Sequence, residues 1–155
     1  MRFEDSLVIH APAKEVWDFL LDVNRFATCM PGVDQIAQID ERTFDGLITA
    51  SVGPMSGKFQ FRAHIVDSKP PTELAANVEG TDSVTKSKLT ADVQMTLTAK
   101  SEAETELHQR ANVEIKGRLA ILGDMVVRAT ASLLLDEFGK RLRQQLETPP
   151  SEQGT

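Results

Sequence analysis

The side chains best suited to proton transfer or nucleophilic attack in this sequence are three histidines, one cysteine and scattered hydroxyls, and tyrosine is absent. General acid–base work needs such a group within hydrogen-bond reach of the proton it moves. A nucleophile needs a base beside it. The spacing offers neither. His64 alternates in phase with Gln60 and Arg62, on the polar side of its segment. His108 falls beside Arg110 on the polar side of another, and His10 closes the first apolar stretch. Cys29 lies at the end of a short helical pattern, before Pro31-Gly32, where the helix dipole gives a thiolate no help. Its expected role is a small buried hydrophobe beside Phe26 and Met30. Ser83 and Ser87 have no evident base. No grouping of His, Cys, Asp and Glu has metal-ligand spacing. Gly53 to Gly57 is glycine-rich, but it joins two strand patterns instead of opening a helix, so it is no phosphate loop. No catalytic residue, metal or cofactor is expected.

The elements that carry these groups follow from periodicity. Arg2 to His10 reads as a strand, and Ala11-Pro12-Ala13 opens a helix with Pro12 suited to its first turn. Val16, Trp17, Leu20 and Leu21 form its apolar stripe. Asp22 to Cys29 predicts a second short helix carrying Phe26. The middle of the chain then alternates, which predicts half-buried antiparallel strands. Phe44, Gly46, Ile48, Ala50 and Val52 share one face; so do Phe59, Phe61, Ala63 and Ile65, and so do Leu74, Ala76, Val78 and Gly80. Lys88 to Ala99 alternates most regularly, with Leu89, Ala91, Val93, Met95, Leu97 and Ala99 facing in. Leu107, Ala111, Val113 and Ile115 line the last strand.

A sheet with one apolar face needs a cover. The spacing predicts a single long helix over Leu119 to Leu146, with Leu119, Leu122, Val126, Ala129, Leu133, Leu134, Phe138, Leu142 and Leu146 as its stripe. Gly117 suits a sharp turn into that helix. Gly123 falls within its first turns, where glycine costs about 1 kcal/mol relative to alanine, and close packing is the expected compensation. Arg118 is read as a solvated cap residue, with a polar anchor at the pocket as the other reading. The fold class is α+β: a curved antiparallel sheet of about seven strands wrapped around a long C-terminal helix, with two short helices after the first strand. Many inward positions are small, including Gly46, Ala50, Ala63, Ala76, Ala91, Ala99 and Ala111. They fit either tight helix–sheet contact or room for a ligand.

The 155 residues fit one domain, expected over 1–147, with a polar, proline-rich and disordered tail at 148–155. A net charge of −6 argues against nucleic acid as a partner. A lone cysteine gives no sign of an oxidising compartment, and the acidic N-terminus is unlike a signal peptide. No stretch approaches the roughly 18 apolar residues of a membrane span. The expected location is cytoplasmic, with peripheral contact at the inner face of the plasma membrane left open.

Four segments then combine in order: Cys29-Met30-Pro31-Gly32, Val52-Gly53-Pro54-Met55-Ser56-Gly57-Lys58-Phe59, Lys116-Gly117-Arg118-Leu119-Ala120-Ile121-Leu122-Gly123 and Leu134-Leu135-Asp136-Glu137-Phe138. With this layout, the chain resembles the carbon monoxide dehydrogenase G-subunit family, over about Met1 to Leu146. The resemblance implies a helix-grip, START-like fold shared with polyketide cyclases. It also implies association with a molybdenum hydroxylase complex, recruitment of that enzyme to the membrane, and handling of a lipophilic quinone of menaquinone or ubiquinone type.

The leading expectation is a non-catalytic binding protein with an apolar cavity. Its lining is expected at Phe26, Met30, Met55, Phe59, Phe61, Met95, Leu97, Val113, Ile115, Leu122 and Val126. Two other readings stand beside it: an assembly factor with a filled core, acting by surface contacts, and a cyclase-type enzyme.

Overall fold

The computed structural model describes residues 1–52 and 54–147; Gly53 and the expected tail at 148–155 lie outside the described residues. Strand β1 (Arg2–Ile9) leads into helices α1 (Ala13–Leu21) and α2 (Val23–Cys29). Six strands follow, β2 (Val33–Asp40), β3 (Thr43–Val52), β4 (Met55–Lys69), β5 (Glu73–Asp82), β6 (Ser87–Ser101) and β7 (Glu104–Lys116), and then helices α3 (Arg118–Ile121) and α4 (Asp124–Leu146). The sheet is antiparallel throughout, in the order β1-β7-β6-β5-β4-β3-β2. Hairpins account for every neighbour except β1, which pairs with β7. The α1–α2 pair therefore carries the chain from one edge of the sheet to the other. Asp22 caps α2, accepting hydrogen bonds from the Asn24 and Arg25 amides.

This is the expected α+β fold, with three corrections. First, the C-terminal helix is broken. Gly123 has φ +85° and ψ 162°, a conformation reserved almost entirely for glycine, and α4 starts just after it. Nothing lies within 4 Å of where its Cβ would be, so conformation and not close packing explains the residue. Second, the stripe holds at both ends of the helical region but not in its middle: Leu119, Phe138 and Leu142 are buried as expected and Val127 joins them, while Ala129 and Leu133 point outward. Third, β4 begins at Met55, so Ser56 and Gly57 belong to a strand and not to a turn. Gly117 behaves as expected: φ is +92°, and a Cβ there would collide with the Lys86 carbonyl.

The buried side chains separate into two clusters at opposite ends of the sheet. One joins α1, α2 and the C-terminal half of α4 to the sheet through Ile9, Val16, Trp17, Phe19, Leu97, Leu107, Phe138 and Leu142. Each such aliphatic or aromatic side chain, fully buried, contributes about 1.5–3 kcal/mol. The other joins α3 and the start of α4 to Phe59, with Met1, Ile48, Met55 and Ile115 packed against it. A buried polar brace closes this second end. Asp82 accepts from the Thr85 hydroxyl (2.8 Å) and the Val84 amide (3.0 Å), and the Leu119 amide donates to the Ser87 hydroxyl (3.1 Å).

Candidate functional site: the concave face between two caps

Register shows what lies between the clusters. Each rung of inward residues runs across neighbouring strands. One rung is Phe44, Ala63, Val78, Ala91 and Val113; the next is Ile65, Ala76, Val93, Ala111 and Phe3. Alternation puts these side chains on the α4 side of the sheet, and all are apolar. Yet among them only Ile65 is buried, and none belongs to either cluster. In a packed helix–sheet interface these positions would touch the helix and exclude water. Here the helix backbone comes near α2, β3 and β1, toward the sheet's two edges, and α4 spans the concavity between them.

The alanines explain the space. Ala63, Ala91, Ala76 and Ala111 stand on the inward rungs, where their methyl groups extend least from the sheet. Gly46 serves differently: its absent Cβ leaves room for the Phe61 ring, which crosses over it. Ala50 is half-buried on β3, whereas Ala99 is exposed beyond the α1–α2 cap and takes no part.

Two grooves open along the seam between α4 and the β1–β7 edge. One, of about 190 Å³, is bounded by Met1, Val113, Ile115, Gly123 and Val127. The other, of about 500 Å³, lies between Asp5, Ser6 and Leu7 on β1 and Leu135, Gly139, Lys140 and Arg143 on α4. Arginines pin the helix to the free backbone edge of β1. Arg128 donates to the Arg2 carbonyl (3.0 Å) and lies 5.3 Å from the centroid of the Phe3 ring; Arg143 donates to the Val8 carbonyl (3.0 Å).

The expected lining residues do not form one wall. Phe26, Met30, Met95 and Leu97 belong to the α1–α2 cap, with Leu97 buried. Met55, Phe59, Ile115, Leu122 and Val126 belong to the α3 end, with Phe59 buried. Phe61 and Val113 stand between the caps, on the half-buried rungs. Two further inward positions, Asp5 and Gln109, are missed by hydrophobic patterning. They are register partners on β1 and β7 and adjoin Met95. The signal that marks them is a polar residue in an otherwise apolar period-two file: Phe3, Asp5, Leu7 and Leu107, Gln109, Ala111.

The titratable groups considered for chemistry lie elsewhere. His108 bonds Ser6 (2.7 Å) and faces Glu4 (3.1 Å) on the outer surface. His64 contacts Thr43 (3.0 Å), and His10 faces Glu104 (3.4 Å). Cys29 is 0% exposed, and burial pushes its thiol above the ordinary value despite contact with Thr28. Arg118 is exposed at the start of α3. Burial pushes the Asp82 carboxyl up, but hydrogen bonds from Thr85 and from the Val84 and Thr85 amides outweigh it and leave the group below the usual carboxylate value. No group of three or more metal-ligating residues occurs among the described residues. No helix among them is long and apolar enough to cross a membrane.

Comparison with known proteins agrees with this architecture. The family model for the G subunit of carbon monoxide dehydrogenase (CoxG) matches residues 6–147. A conserved protein from Geobacillus kaustophilus superposes with a TM-score of 0.88 at 22% identity, covering 95% of each chain. A START superfamily protein from Mycobacterium smegmatis gives 0.71 at 13% identity, over 94% of this chain and 97% of that one. The Zhui aromatase/cyclase from Streptomyces sp. R1128 gives 0.70 at 13%, over 95% and 93%. A search of curated protein sequences finds no match. At these identities the structural likenesses establish the helix-grip, START-like fold alone.

Proposed function

The chain belongs to the carbon monoxide dehydrogenase G-subunit (CoxG) family, and from that premise we propose that it is a non-catalytic binding protein whose concave cavity holds a lipophilic small molecule of quinone type. The molecule serves a molybdenum hydroxylase, as the electron acceptor that this protein delivers. The observation that carries the reading is the half-buried apolar rungs between two packed caps, Ala63–Val78–Ala91–Val113 and Ala76–Val93–Ala111, facing α4. Apolar surface left reachable on a concave face is surface a lipophilic ligand can cover, and each CH₂ it buries contributes about 0.8 kcal/mol. The placement of all three histidines on outward or exposed positions supports binding over catalysis. Native mass spectrometry with added menaquinone or ubiquinone tests it. A one-to-one complex is expected; an apo mass that neither quinone shifts defeats it.

A second reading rests on one specific observation. Ile121, Met125 and Leu133, on α3 and the outer side of α4, are 83%, 85% and 70% exposed. Such exposed hydrophobics favour an interaction surface, and on this reading the surface contacts the hydroxylase complex or the membrane periphery. A pull-down that needs Met125 and Leu133 but tolerates a blocked cavity would favour this reading.

A further inference from the structure

Asp5 and Gln109 are neighbours on the concave wall. Cross-strand register pairs them directly, which puts their Cβ atoms about 4.5–5.5 Å apart on one face. Both are partly buried, beside Met95 on one side and between Leu7 and Phe3 on the other. Between the two caps, the inward files of β1 and β4–β7 are otherwise apolar. The buried polar side chains of this fold have partners, as in the Asp82–Thr85–Ser87 brace and the Thr105 hydroxyl on the Ala11 carbonyl. Asp5 and Gln109 have no side-chain hydrogen bond or ion pair among the described residues. No described side-chain N or O atom is both buried and without a partner, so the polar atoms of both residues stay open to the groove and free to engage a ligand. Asp5 also borders the groove of about 500 Å³ along α4, together with Lys140 and Arg143.

The pair's chemistry selects a ligand group. An ionised carboxylate only accepts hydrogen bonds; a carboxamide both donates and accepts. A hydroxyl on an aromatic ring satisfies both at once, donating to Asp5 and accepting from the Gln109 amide. A ring carbonyl accepts only, so it can take the Gln109 donor but sets its lone pairs against the Asp5 carboxylate. We propose that Asp5 and Gln109 form a polar subsite for an aromatic hydroxyl, so that the cavity holds the hydroquinone form of a lipophilic ring in preference to its quinone form. The inference rests on the cavity reading of the proposed function and adds to it that the form held more tightly is the reduced one, the hydroquinone left once the delivered quinone has accepted its electrons. A charge-assisted hydrogen bond of this kind corresponds to a preference of about ten- to a hundred-fold.

Anaerobic calorimetric titration with menadione and with its hydroquinone separates the outcomes. The wild-type protein should bind the hydroquinone at least about ten-fold tighter. Asp5→Asn, with its fold checked by circular dichroism, should bring the two affinities within about two-fold, chiefly by weakening the hydroquinone. Gln109→Leu should weaken both forms. Equal wild-type affinities, or a preference that survives Asp5→Asn, would overturn the subsite while leaving the cavity reading intact. Binding of neither form by the wild type would overturn both.

Discussion

Replacing Ala91 by leucine asks whether the middle of the sheet is packed or open. Ala91 sits between Val78 and Val113 on a half-buried rung facing α4. The substitution adds three carbons, which on full burial would contribute about 2.4 kcal/mol at ~0.8 per carbon. Because the site is only half covered, the expected gain lies between zero and about 2 kcal/mol. In a closely packed core the same change costs about 1–3 kcal/mol through strain. The two cases differ in sign, so urea unfolding decides between them. With a slope of about 2 kcal/mol/M, a change of 2 kcal/mol moves the midpoint by ~1 M. Ala11→Leu is the matched control, because Ala11 is buried inside the α1–α2 cluster and should lose about 1–3 kcal/mol. Ala91→Leu should also weaken binding of a lipophilic ligand. A lower unfolding midpoint for Ala91→Leu, comparable to that of Ala11→Leu and with binding unchanged, would refute the open-cavity reasoning.

Three other outcomes follow from the same structure. Gly123→Ala should cost about 1–3 kcal/mol in thermal or urea unfolding although its surroundings are empty, because φ is +85°; a neutral result would mean that α3 and α4 join in another conformation. Cys29 should resist iodoacetamide in the native protein and react on unfolding, since the thiol is buried and pushed toward its protonated form; rapid native labelling would contradict that burial. Asp82 is held below its unfolded value near 3.9, so its stabilising contribution is present above that pH and fades as pH falls through the folded pKa. Asp82→Asn should be less stable at neutral pH and should lose that acid-limb slope; an unchanged slope would assign acid sensitivity to other carboxylates.

Much of the scaffold is legible in the residue pattern because its strands have one wet face and one dry face. Lys88 to Ala99 and Phe59 to Ile65 alternate so regularly that the pleat fixes their sidedness. β2 carries a weaker signal: Val33, Ile36 and Ile39 break the period, and its pairing contains two register shifts. The phase of α4 is ambiguous for a related reason. Met125 and Leu133 put apolar side chains on its outer side, so spacing alone cannot tell that side from the one carrying Val127, Phe138 and Leu142. The break at Gly123 is a backbone requirement that no hydrophobic period records. Individual inward residues were readable, but their division into two caps with a gap between them depends on where α4 approaches the sheet. Asp5 and Gln109 become conspicuous only once register sets them side by side.

Methyl-resolved NMR titration with a lipophilic quinone or hydroquinone tests the central claim most directly. The account predicts that the methyls of Ala76, Ala91, Ala111, Val78, Val93 and Val113 shift together and saturate at one equivalent, while Leu142 and Leu107 in the packed cap stay unchanged. Shifts confined to Ile121, Met125 and Leu133 on the outer surface, with the concave rungs silent, would contradict it.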